Sequence, residues 1–130
     1  MSHYGFADGA SRHTWNLASV AWVLYHPSGQ LLVLRGVCID LASNNVVEYT
    51  AVIHIHSEAI SLGVDSLVVF LDSQLVVSQL NNTYWVRDPF LLWLFFRVRL
   101  LQRSFQFLTF IHIPRAGNWM AESLANKVID

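Results

Sequence analysis

The sequence predicts an α/β fold in which helices cover both faces of one five-stranded mixed sheet. In the first third of the chain, apolar β-branched runs flank a Pro-Ser-Gly turn, a pattern typical of an antiparallel meander. Beyond it, segments with helical periodicity alternate with apolar strand-like runs, which indicates parallel strands joined by helices. The predicted order is therefore β-β-β-α-β-α-α-β-α.

The composition predicts one domain over residues 1–130, because a chain of 130 residues is large enough for one core and too short for two. Hydrophobic residues make up 54% of the chain. Even so, the longest apolar run, 89–96, is far shorter than the roughly 20 residues needed to cross a bilayer. We therefore expect no membrane contact. The one cysteine, Cys38, excludes an internal disulfide and favours a reducing, intracellular compartment, either nucleus or cytoplasm.

The predicted strands of the meander are short apolar runs at 4–8, 19–25 and 31–39. Helical periodicity then begins after Ser43 and stops at Gly63, a residue that favours helix ends. The residues predicted to share the core face of this helix are Val47, Ala51, Ile55, Ala59 and Leu62. The next run, 66–71, is apolar after its first residue, Ser66, which predicts a central strand covered on both sides.

The second half of the chain predicts three more helices and one more strand. A short helix runs from Asp72 to about Leu80, and a longer one starts at Asp88, where the following proline suits the first helical turn. The last strand spans 107–113, and Asn118 is predicted to cap a final helix that reaches the C-terminus.

Four acidic residues end or begin these elements in a way that predicts a shared site. Asp8 and Asp72 close strand-like runs, whereas Glu48 and Glu122 lie near the starts of helices. Ligands of open α/β sheets bind beyond the strand ends, where Asp8 and Asp72 can be neighbours. Two carboxylates about 4 Å apart repel by roughly 4 kcal/mol at an effective dielectric near 20. Such a cluster must hold a proton or divalent cations, and we favour cations.

Each of these acids also has an ordinary structural interpretation. Asp72 could cap its helix, Glu48 is placed as in a capping box, and Asp8 could be a turn residue. Glu122, the weakest member of the set, could be solvated or paired with Arg115. The occurrence of all four together favours the metal site.

The net charge of the chain is −1, but the residues outside the four-acid set are net basic. Setting aside four of the nine acids leaves five acids against eight lysines and arginines, a balance of +3. This distribution permits a polyanionic ligand without requiring one.

Four motifs follow one another along the chain and cover it from end to end. They are Phe-Ala-Asp-Gly-Ala-Ser at 6–11, Ser-Asn-Asn-Val-Val-Glu-Tyr-Thr-Ala at 43–51, Asp-Ser-Gln-Leu-Val-Val at 72–77, and His-Ile-Pro-Arg at 112–115 followed by Asn118, Ala121, Leu124 and Ala125. Together they resemble the type 1 ribonuclease H family, particularly its plant and retroelement reverse-transcriptase-like branch. The resemblance implies a ribonuclease H-like fold.

The resemblance further implies a metal-dependent endonuclease that cuts the RNA strand of an RNA/DNA hybrid. Asp8, Glu48, Asp72 and Glu122 would be its catalytic residues and would hold two Mg²⁺ ions, with Mn²⁺ as a possible substitute. Two cations about 4 Å apart can activate a water and stabilise the leaving 3′ oxygen. Magnesium also prefers the oxygen ligands that carboxylates supply.

The resemblance also implies residues that bind the hybrid. Asn44 and Asn45 would contact it in the minor groove, and Gln74 would lie near the 2′-hydroxyls that distinguish RNA from DNA. Gly9 and Arg115 complete the predicted substrate-binding set, with Arg115 meeting either a phosphate or a surface carboxylate.

Three features depart from the family pattern. The fourth carboxylate is usually aspartate, and Glu122 displaces it by about 1.5 Å, one C–C bond, which predicts reduced activity that Glu122→Asp would restore. Residues 12–17 replace a glycine-rich loop, and no basic helix lies between Leu80 and Asp88. These departures support an alternative function, a catalytically impaired domain that serves as a nucleic-acid-binding or protein-interaction module.

The long helix that begins near Asp88 is apolar beyond its core face. The residues predicted to face the core are Leu91, Leu94, Phe95, Val98 and Leu101. Phe90, Trp93 and Phe96 lie off that face, and a helix that is apolar nearly all round is buried or contacts a partner. We therefore predict that this surface meets a second copy of the chain or a neighbouring polymerase domain.

Overall fold

The computed structural model describes residues 1–130 as an α/β fold built on one five-stranded mixed sheet. Its strands are β1 (His3–Arg12), β2 (Leu17–Tyr25), β3 (Leu31–Asp40), β4 (Ser66–Leu71) and β5 (Phe107–His112). Its α-helices are α1 (Asn44–Ser61), α2 (Gln74–Leu80), α3 (Pro89–Gln102) and α4 (Trp119–Ile129). This order confirms the predicted fold class.

The sheet joins an antiparallel meander to two parallel strands in the order β3-β2-β1-β4-β5. β1 pairs antiparallel with β2 and parallel with β4, and the last β1–β4 pair is Phe6 with Phe70. Asp8 and Asp72 each stand two residues beyond that pair. The register therefore brings both carboxylates to the same edge of the sheet, because side chains two residues apart lie on the same side of a strand.

Helices cover both faces of the sheet, as predicted. α1 packs against β1 and β2 on one face, with α3 outside it, and α4 packs against β1, β2 and β3 on the other. Two close approaches fix these contacts: a Cβ atom at Gly9 would collide with Val47 of α1, and one at Gly36 would lie 2.7 Å from Val128 of α4. One continuous core of 24 buried residues draws on all five strands and on α1, α2 and α3.

The structure differs from the predicted elements at three points. β1 continues to Arg12, because residues 10–12 still pair with β2, so Asp8 lies within a strand and not in a turn. Leu62, predicted on the core face of α1, is 51% exposed because that helix ends at Ser61. Asn118 makes no capping hydrogen bond, since a 3-10 turn from Arg115 to Asn118 precedes α4.

No helix of the structure combines the length and the apolarity that crossing a bilayer would require.

Candidate metal centre and substrate cleft

The four acidic residues predicted from the sequence line a single cleft of about 450 Å³. Asp8 comes from β1 and Asp72 follows β4, while Glu48 and Glu122 project from α1 and α4. One carboxylate oxygen from each of Asp8, Asp72 and Glu122 lies within 4.8 Å of the other two. Residues separated by up to 114 positions in the sequence are thus brought to one point.

Local capping leaves the carboxylates of Asp72 and Glu48 free for this cleft. The hydroxyl of Ser73 accepts the Val76 backbone N–H at 3.3 Å and caps α2, so Asp72 is not the cap. Ser43 caps α1, which places Glu48 beyond the positions of a capping box. Asp72 is therefore not a helix cap, and Glu48 is not part of a capping box.

Glu48 is the one acid of the four with a buried carboxylate oxygen that has no hydrogen-bond partner. Its Oε1 accepts the Gly9 backbone N–H at 3.3 Å, but its Oε2 is buried without a hydrogen-bond partner. Burial, reinforced by repulsion from Asp8 and Asp72, raises the pKa of Glu48 well above the ordinary range of a glutamate. Burial likewise raises the pKa of Asp8, which is only 5% exposed, and the nearby Asp72 adds to that rise.

This donor set fits a hard divalent cation. Three carboxylate oxygens converge within 4.8 Å, and a fourth carboxylate in the same cleft has a buried oxygen without a partner. No cysteine or histidine lines the cleft, so the ligands are the oxygen type that Mg²⁺ and Mn²⁺ prefer over the nitrogen and sulfur ligands of zinc.

Asn118 is a residue of the site that the sequence interpretation missed. Its side chain is almost fully buried, and its Nδ2 donates to the carbonyl oxygen of Ala7 at 3.0 Å and to Oδ2 of Asp72 at 3.2 Å. Asn118 stands at the predicted N-cap position of α4, but its side chain makes no capping hydrogen bond and instead contacts the ends of β1 and β4. Its spacing of four residues from Glu122, about one helical turn, was the available signal.

The predicted substrate-binding residues divide into two groups. Gly9, Asn44, Asn45 and Arg115 line the cleft. Gln74 is exposed outside that lining, and its Nε2 donates to Ser78 Oγ in its own helix at 3.0 Å. Of the predicted set, only Gln74 does not join the cleft in this structure.

Two arginines bring positive charge to the acidic cleft. Arg115 Nη2 lies 2.9 Å from Glu122 Oε1, although its side chain is 76% exposed. The other, Arg12, was not predicted as a site residue; its guanidinium contacts Asn126 and pairs with Asp130 at 3.1 Å. Both stand where a phosphate approaching the carboxylates would meet a cation.

Comparison with known proteins places this architecture among close relatives. Residues 6–128 match the sequence family described as reverse transcriptase-like. The chain is 37% identical over 127 residues to Ribonuclease HI of Halobacterium salinarum, an alignment that covers 98% of this chain and 64% of that protein. The crystal structure of RNase H1 from that archaeon superposes with a TM-score of 0.94 at 36% identity, covering 100% of this chain and 98% of the solved one.

Two further structures are similar over their whole length. The N-terminal RNase H domain of a Mycobacterium tuberculosis protein, solved as a fusion with maltose binding protein, gives a TM-score of 0.92 at 32% identity with 100% of both chains covered. LC11-RNase H1 in complex with an RNA/DNA hybrid gives 0.91 at 29% identity, covering 99% of this chain and 97% of that one. The chain spans only 34% of the complete mycobacterial protein, which is described as bifunctional.

Proposed function

This chain belongs to the reverse transcriptase-like family of type 1 ribonuclease H domains, and from that premise we propose that it hydrolyses the RNA strand of RNA/DNA hybrids. The observation that carries the proposal is the convergence of the Asp8, Asp72 and Glu122 oxygens within 4.8 Å in a cleft that Glu48 also lines. The relative solved with an RNA/DNA hybrid supports the choice of substrate.

The proposed cofactor is a pair of Mg²⁺ ions, with Mn²⁺ as a substitute, held by Asp8, Glu48, Asp72 and Glu122. When bound, two such cations activate a water and stabilise the leaving 3′ oxygen. The chain must release a proton to accept them, because the raised pKa of Glu48 favours its protonated form in the cation-free protein. Cation affinity should therefore rise with pH.

The proposed role of the remaining cleft residues is to bind and orient the hybrid. Asn44 and Asn45 occupy the first turn of α1, where their amides can donate to and accept from base edges and 2′-hydroxyls. Arg12 and Arg115 supply cations for the phosphate backbone. Gln74 would have to exchange its contact with Ser78 for one with the hybrid.

A labelled RNA/DNA duplex incubated with Mg²⁺ or Mn²⁺ tests the proposal. We expect cleavage of the RNA strand alone, inhibition by chelator, and no cleavage of RNA/RNA or DNA/DNA duplexes of the same sequence. Asp72→Asn is the matched control, since it keeps the size of the side chain and its contact with Asn118 but removes the charge. Absence of cleavage at high protein concentration with either cation would reject the proposal.

The second candidate function is a non-catalytic module of the same fold. It is favoured by the ion pair between Arg115 and Glu122, which occupies an oxygen of the fourth carboxylate. The same assay separates the two functions, because a hybrid that is bound but never cut indicates the module.

Shortening Glu122 is expected to weaken the site, although the sequence alone predicted the opposite. The Glu122 carboxylate already reaches the cluster, so Glu122→Asp would withdraw it by about 1.5 Å from Asp8 and Asp72 and from Arg115. We expect the half-saturating Mg²⁺ concentration for cleavage to rise by about tenfold or more. Glu58→Asp is the control, because Glu58 also pairs with an arginine, Arg35, at 3.0 Å but lies outside the cleft. Equal or greater activity of Glu122→Asp would instead support the sequence-based expectation.

The exposed aromatic residues of α3 support the proposal that this helix contacts a partner. Phe90, Trp93 and Phe96 are each more than half exposed, and Arg97 lies over the Trp93 ring at 5.3 Å from its centre. Aromatic residues and arginine are enriched in protein interfaces. Contact with a second copy or with a polymerase domain stays a prediction, as does an intracellular location.

A further inference from the structure

We propose that Asn118 is a positioning residue for the metal centre, in which one neutral amide holds the elements that carry three of the four acidic ligands. The inference rests on the proposed metal-dependent function. Nothing in the family match or in the named relatives assigns a role to this position. Three observations carry it: the contacts of the amide, its neutrality and its unpaired oxygen.

The contacts of Asn118 join three elements at one point. The two hydrogen bonds from its Nδ2 reach the carbonyl of Ala7, which immediately precedes Asp8 in β1, and the carboxylate of Asp72 at the end of β4. Asn118 itself lies one helical turn before Glu122 of α4. A displacement of any of these elements would therefore break a contact of this one side chain.

The hydrogen bond to Asp72 restricts the carboxylate that it contacts. A carboxylate rotates freely about its last bond unless one oxygen is fixed, and the Asn118 amide fixes Oδ2 at 3.2 Å. Metal ligands held by a hydrogen bond of this kind keep a defined orientation toward the cation. Both amide protons of Nδ2 have an acceptor, so the amide cannot turn over without placing its oxygen against two other oxygens.

The neutrality of the amide distinguishes it from the charged donors lysine and arginine. A lysine or arginine here would add a positive charge beside Asp72 and oppose cation binding, while an aspartate would lack the donor and add a fifth negative charge. Asparagine donates without changing the charge of the cluster.

The carbonyl oxygen of the same side chain adds a cost to placing an asparagine here. Asn118 Oδ1 is buried and has no hydrogen-bond partner, and a buried unpaired polar atom destabilises the folded state. The gain that offsets this cost is, on our proposal, the ordering of the ligands.

Asn81 provides the matched control for a purely structural role. Its Nδ2 also donates to a strand carbonyl, that of Phe110 in β5, at 3.1 Å, but it touches no carboxylate and lies outside the cleft. Asn81→Ala and Asn118→Ala each remove one amide that fixes a strand. Only the second removes a contact to a proposed metal ligand.

The test is a calorimetric titration of each folded variant with Mg²⁺ alone, without nucleic acid, together with urea unfolding in the presence of chelator. We expect Asn118→Ala to bind Mg²⁺ at least tenfold more weakly than the wild type, and Asn81→Ala to bind it within twofold. The unfolding midpoints of both variants should fall. Equal Mg²⁺ affinity of Asn118→Ala and wild type would overturn the inference and leave Asn118 as a structural residue.

A measurement on the unmodified chain covers the case in which Asn118→Ala does not fold. The side-chain amide resonances of Asn118 should shift during a Mg²⁺ titration with the same midpoint as the calorimetric one, while those of Asn81 should not move. Unchanged Asn118 resonances at saturating Mg²⁺ would reject the inference. If the wild type binds no Mg²⁺ at all, the proposed function fails, which is a different outcome from equal binding by wild type and variant.

Discussion

Replacing Glu48 with glutamine is expected to abolish RNA hydrolysis and, in the same protein, to raise the free energy of unfolding at pH 7 without cation. The loss of activity, at least about a thousandfold, follows from removing a carboxylate ligand. The gain in stability follows from the raised pKa of Glu48, which burial and Asp8 cause. Above its unfolded pKa near 4.5, folding must take up a proton, so stability falls as the pH rises. Glutamine removes that penalty, which is about 3 kcal/mol at pH 7 for a carboxyl that stays protonated in the folded state.

The measurements are hybrid cleavage with Mg²⁺ and urea unfolding with chelator, each carried out on wild type and Glu48→Gln. Glu58→Gln is the control, because it neutralises a glutamate outside the cleft and should leave cleavage unchanged. Wild-type rates in Glu48→Gln would remove Glu48 from the metal site. A less stable Glu48→Gln would show that the cation-free site holds the charged carboxylate favourably, contrary to the burial argument.

Acidification is expected to destabilise the folded chain, because the buried His56 resists protonation. This side chain is wholly buried, its Nδ1 lies 2.7 Å from the Val52 carbonyl oxygen, and its Nε2 has no partner. Burial lowers the pKa of His56 from 6.5 to about 4, so the folded state keeps the ring neutral while the unfolded state protonates it. The stability present above pH 6.5 is therefore lost as the pH falls toward 4, by about 3 kcal/mol.

The variant His56→Phe isolates this effect from the opposing one of the acidic cluster. Phenylalanine keeps the stacking on Phe110 and the edge contact with Phe105 but cannot protonate. We expect the free energy of unfolding to fall less between pH 6.5 and 4 in His56→Phe than in the wild type, as measured by urea unfolding. His54→Phe is the control on the same helix, since His54 is only half-buried and its pKa is lowered less. An unchanged pH slope in His56→Phe would contradict the assignment.

The order of the elements, and which acids meet, can be predicted from the sequence alone. Periodicity and turn residues are local signals, so α1, β4 and the α3 start at Asp88 were predictable from a few neighbours each. Asp8 and Asp72 were predictable as a pair because strand ends meet at one edge of a sheet. The sequence-based predictions failed for the burial of Leu62 and for the capping hydrogen bond of Asn118. The first failed because α1 ends at Ser61, and the second because a 3-10 turn precedes α4.

How those acids are held depends on the packing of the folded chain. The reach of Glu122, the unpaired Oε2 of Glu48 and the contact of Asn118 with Asp72 depend on distances between elements far apart in the sequence. Such distances are set by how α1 and α4 pack on opposite faces of the sheet. Residue patterns carry the period of a helix or strand but not that spacing, whereas cation coordination depends on it.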